Sequence, residues 1–161
     1  MATNPAPAPA YKRVEAPSEN LDGIACVSMI SGKPIAEVLA AAVQQFKLRS
    51  TNGPYFIDEG RLQILLVKFG FVGKSFHKMT VINELPDLAI VWQETDHDME
   101  VGRHLLFHRV KDFADPKKNY TYVIDPQPQA DPSLGIRIDI PALELSWFMA
   151  VSPLGKAPAT K

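Results

Sequence analysis

The sequence predicts an α+β domain in which N-terminal helices pack on an antiparallel sheet. Two observations carry this. Helical spacing of apolar residues is confined to the first part of the chain, ending near Gly70, and beyond it short runs of branched and aromatic residues are separated by turn clusters. Helices first and then a run of strands is the pattern of an α+β domain.

Taken in order, residues 1–17 are rich in alanine and proline, including Pro5, Pro7, Pro9 and Pro17, and are expected to form a flexible tail. A domain over residues 18–152 follows, and residues 153–161 are expected to form a second tail. The run IACVSMIS at 24–31 is apolar and ends at Gly32, which suits a short buried helix or a buried strand. Pro34 suits a helix first turn, and Ile35, Val38, Leu39, Ala42 and Phe46 continue at helical spacing. STNGP at 50–54 is a turn cluster, and Asp58 can cap a helix over 59–69 whose apolar face is Leu62, Leu65, Leu66 and Phe69. Gly70 is placed to end it.

Strand signals begin with VGKSFHKMTV. LAIVWQ at 88–93 reads as a buried strand between Pro86 and an acidic segment. HLLFHRV at 104–110 and YTYVID at 120–125 flank the polar loop KDFADPKKN and read as an antiparallel hairpin. GIRIDI at 135–140 alternates, Pro141 opens a turn of helix, and WFMAV at 147–151 reads as a final strand.

Composition excludes several functions. Net charge is -1, so no basic field points to nucleic acid. No apolar run approaches the ~20 residues of a membrane span. The N-terminus lacks the apolar core of a signal peptide, so the chain is expected to stay in the cytoplasm as synthesised or to be exported by a route that reads no such peptide. No GxGxxG or P-loop pattern occurs, and no cofactor is expected. Asp96, His97, Asp98, Glu100 and His104 crowd one segment, but their spacing matches no helix-based ligand set, and a solvated acidic loop is expected rather than a metal site.

The chain has one cysteine, Cys26, so an intrachain disulfide is excluded. A free cysteine is among the most buried residue types, and core packing is the ordinary fate of such a thiol. Chemistry requires more: a base, a group that orients it, and donors for an oxyanion. Cys26 lies early in an apolar helical run, where a helix N-terminus would lower its pKa. The hairpin reading sets the start of the 104–110 strand beside the end of the 120–125 strand. His104 would then neighbour Asp125, as a histidine neighbours its orienting carboxylate. His108 faces the same side but lies deeper in the strand and is the second candidate.

These residues also carry a resemblance. CVSMISGKPIAEV resembles the nucleophile helix of papain-like cysteine peptidases of the bacteriocin-processing (double-glycine) type, and GRHLLFHRV with YTYVIDP resembles their histidine strand and Asp-Pro strand end. The resemblance covers residues 18–151 in the order Cys, His, Asp. It implies a papain-like fold and a cysteine hydrolase acting on an amide or peptide bond, with Cys26 as nucleophile, His104 as base and Asp125 orienting His104. The family's oxyanion glutamine falls at Asn20, which keeps the amide; the backbone N–H of Cys26 is the alternative donor. The expected partner is a peptide or protein substrate, and a bacterial effector or toxin would suit this chemistry. Side-chain deamidation uses the same residues. The alternative is a papain-like domain that binds a peptide without cleaving it, which the non-standard Asn20, Ala25 and Val27 favour.

Overall fold

The computed structural model describes residues 9–48, 57–96, 98, 101–128 and 135–155. Among them three helices pack on a seven-stranded antiparallel sheet, an α+β arrangement. The helices are α1 (Asp22–Ser31), α2 (Ile35–Phe46) and α3 (Glu59–Lys68). The strands are β1 (Phe71–Gly73), β2 (His77–Lys78), β3 (Leu88–Asp96), β4 (Val101–Val110), β5 (Tyr120–Ile124), β6 (Ile136–Arg137) and β7 (Leu145–Pro153).

Local chemistry sets the helix ends. Gly32 closes α1 in the left-handed conformation (φ 73°) and donates its N–H to the Ser28 carbonyl. A side chain there would be strained, and glycine carries none. Asp58 caps α3 by accepting the Arg61 N–H at 2.9 Å, which satisfies one of the donors a helix start leaves open. The apolar run at 24–31, open between helix and strand in the sequence, is helical, and nearly all of it is buried.

The sheet runs β1-β7-β3-β4-β5-β6, with β2 pairing on β7. The expected hairpin is β4 with β5, in the register Leu106↔Ile124 to Val110↔Tyr120. Alternation along the strands buries both faces. Ile90, Leu106, Tyr122, Ile124 and Met149 point to the helices and join Ile24, Val27, Leu62, Leu65 and Leu66 in one core. Ala89, Val91, Leu105, Phe107 and Val123 form a second core with Leu85, Ile140, Leu143 and Leu145. The short helical turn expected at Pro141 is a 3-10 turn, Ile140–Leu143, and it serves this second core. No single helix among the described residues is long and apolar enough to cross a membrane.

The expected N-terminal tail is corrected over residues 9–17. Ala16 is buried and donates its N–H to the Pro126 carbonyl at 2.7 Å. Tyr11 donates its N–H to the Tyr122 hydroxyl at 3.1 Å. Arg13 donates to the carbonyls of Asp125 (2.9 Å) and Gln127 (2.7 Å). A strap with no helical or strand pattern is thus tied down by charged and backbone hydrogen bonds, which composition does not reveal. At the other end Leu154 donates to the Gly70 carbonyl at 2.8 Å, so the second tail does not start at 153. The remaining tail residues, 1–8 and 156–161, lie outside the described residues, as do His97 and Glu100 of the acidic segment.

Candidate functional site

Cys26 is fully buried and belongs to the helix-side core. Its thiol takes part in no hydrogen bond among the described residues. Burial pushes its pKa well above the ordinary thiol value, and the negative charges of Asp22 and Asp125 push it further the same way. Thiolate is the nucleophilic form, so this environment suppresses the reactive species. The expectation that a helix start would activate the thiol fails because α1 begins at Asp22, one turn earlier, and carries Cys26 under the helix layer.

His104 is 3% exposed and stands on β4 facing α1. Its Nδ1 lies 3.0 Å from Asp22 Oδ1, and its backbone N–H donates to Asp22 Oδ2 at 2.8 Å. Asp22 Oδ1 also accepts the Gly23 N–H at 2.7 Å. One buried carboxylate therefore ties the start of α1 to β4 and fixes the imidazole. Sequence reasoning missed this residue; the signal was an acid four positions before the cysteine, on the same helix face.

The carboxylate beside the His104 Nδ1 is thus Asp22, where Asp125 was expected to be the orienting group. Continuing the β4–β5 register sets Asp125 across from Leu105, one residue out of step with His104. Asp125 pairs with Arg103 at 3.1 Å and accepts the Gln127 N–H at 2.9 Å. Burial raises its pKa; the Gln127 N–H and the nearby Arg103 and Arg13 oppose the rise. Asn20 sits exposed on a 3-10 turn, Glu19–Leu21, ahead of α1. His108, the second candidate, bonds the Tyr122 hydroxyl through Nδ1 at 3.0 Å, and burial lowers its pKa.

The position that does face His104 is Gly23. A Cβ placed on it would lie 3.4 Å from His104 Nδ1 and 3.1 Å from Leu62 Cδ2. A helix start, a histidine held by a carboxylate and a position without a side chain are therefore brought together, on the Nδ1 edge of the ring that Asp22 occupies.

A cleft of about 320 Å³ opens beside this pair, lined by Glu59, Phe76, Trp92, His104 and Trp147. Three of its residues form a row across adjacent strands, because Trp92 pairs in register with Trp147 on β7 and with His104 on β4. The Trp92 and His104 rings meet edge to face, with centroids 4.7 Å apart. Gly102 makes room for this: a Cβ there would come within 2.5 Å of the Trp92 indole and of the Gln93 carbonyl oxygen. Glu59, in the first turn of α3, accepts the Phe76 N–H at 3.0 Å and holds that aromatic at the cleft wall. None of these four lining residues besides His104 was anticipated, since each tryptophan read only as part of an apolar strand. Among the described residues no group of three or more His, Cys, Asp or Glu side chains gathers as a metal site would.

No protein-family model matches the chain, and no curated protein matches it in sequence.

Proposed function

We propose that this chain is a peptide-binding domain on a papain-like scaffold, and that the cleft beside His104 receives the peptide without cleaving it. The observation that carries this reading is the pairing of a wholly buried Cys26 with a glycine at the position facing His104. The scaffold resemblance draws support from a helix start set against a histidine of the sheet. The binding role draws support from the aromatic row Trp147–Trp92–His104, since concave aromatic surfaces with a few fixed polar groups are typical ligand sites. Cysteine hydrolysis, the first expectation, would require a thiolate at Cys26, which burial and two neighbouring carboxylates oppose.

The test compares wild type with Cys26→Ala on a peptide library, reading both cleavage and binding. Equal peptide binding by the two proteins and no cleavage by either is expected. Cleavage by wild type that disappears in Cys26→Ala would overturn the proposal and restore the hydrolase. Iodoacetamide at pH 7 gives an independent reading: Cys26 should stay unmodified in the folded protein and react once urea unfolds it.

A further inference from the structure

We infer that the cleft selects a cationic side chain, lysine or arginine, of the peptide it binds. This rests on the peptide-binding reading above and names the ligand chemistry. Among the described residues the lining combines three large aromatic residues, Phe76, Trp92 and Trp147, with His104 and one carboxylate, Glu59, and contains no lysine or arginine. Aromatic faces attract ammonium and guanidinium groups through their quadrupole, and the attraction grows when water is excluded. Only one oxygen of Glu59 is engaged: Oε1 accepts the Phe76 N–H, while Oε2 has no partner among the described residues. Asp22 adds a second negative charge behind His104. The cleft volume of about 320 Å³ is ample for an extended lysine or arginine side chain.

The opposing charges are few. The start of α3 carries a partial positive charge, which Glu59 in its first turn already offsets. Lys78 stands opposite Trp147 in the β2–β7 register and is exposed, so its ammonium lies at the rim, outside the lining. Its repulsion is screened by solvent.

Both tryptophans of the chain line this cleft, so intrinsic tryptophan emission reports on it alone. The full chain is titrated with acetyl-Gly-Gly-Lys-Gly-Gly-amide, with the norleucine peptide of the same length, and with n-butylammonium against n-butanol. The lysine peptide and n-butylammonium are expected to bind about tenfold more tightly than their neutral counterparts. Glu59→Gln keeps the acceptor for Phe76 and removes the charge; it is expected to bring the two peptides to near parity while the melting temperature stays unchanged. Lys78→Ala is expected to strengthen lysine-peptide binding slightly. Equal binding of lysine and norleucine peptides overturns the cation inference and leaves peptide binding standing. No emission change with any peptide or amine overturns both.

Discussion

The first turn of α1 sets Asp22 and Gly23 against His104, whereas the second turn carries Cys26 into the core shared by Leu66, Ile90 and Leu106. The two positions lie three residues apart, roughly 4.5 Å along the helix axis. That short distance changes what a side chain meets. A thiol at position 23 would stand in the first helical turn against the His104 ring, beside the Asp22 carboxylate that holds that ring. A thiol at position 26 meets apolar side chains and two carboxylates, both of which disfavour thiolate.

The largest test of this contrast moves the thiol. In the double variant Gly23→Cys with Cys26→Ala, alkylation by iodoacetamide at pH 7 is expected to run about a thousandfold faster than for Cys26 in wild type. Leu62 must give by a few tenths of an ångström to admit the new Cβ, and its Cδ2 methyl is the mobile end of that side chain. A rate no faster than wild type would show that the two turns do not differ.

The next test removes the carboxylate that defines the first turn. Asp22→Ala strips a partner from the His104 ring and from its backbone N–H, both buried. A loss of about 3 kcal/mol is expected in urea denaturation, because buried donors left unpaired carry their desolvation cost. A loss below about 1 kcal/mol would mean that Asp22 does not anchor α1 to β4.

The smallest effect belongs to the second turn. Cys26→Ala removes a well-packed sulfur, at about 1–2 kcal/mol near pH 7. The pH dependence follows from the raised pKa. The unfolded chain releases the thiol proton near pH 8.5, while the folded chain retains it to higher pH. The unfolded state then binds fewer protons, so this part of the stability is present below the unfolded value and declines as pH rises above it. Melting curves at pH 7 and 9.5 should show the gap between wild type and Cys26→Ala narrowing at the higher pH; a constant gap would indicate that the thiol titrates normally in the folded protein.

The elements themselves were legible because helix and strand periods are local. Leu62, Leu65 and Leu66 announce α3, and Asp58 announces its start. His104 was singled out by a strand expected to start there, whereas β4 begins at Val101 and sets His104 three residues into it. The partner of His104 was not legible, because assigning Asp22 requires knowing the helix boundary to within one turn, and Leu21 at the N-cap offers no capping side chain to mark it. The aromatic row was hidden for another reason. Trp92 and Trp147 meet only through the β3–β7 register, and nothing in the spacing within either strand encodes which strands will pair. The strap at residues 9–16 escaped in the same way, since Arg13 is fixed by carbonyls more than a hundred residues distant.

The position of β7 has a consequence for assembly. It pairs with β1 on one side and β3 on the other, with Ile90↔Met149 and Val72↔Ser152 among its partners. All of β4, β5 and β6 is synthesised before this strand arrives, so one side of β3 stays an open edge during translation. Such an edge, apolar on both faces, is a template for pairing with another chain. Closing it demands contacts of long sequence separation, which slows folding. Substitutions that weaken the pairing of β7 with β3 therefore expose this edge, and their expected first symptom is aggregation rather than loss of binding.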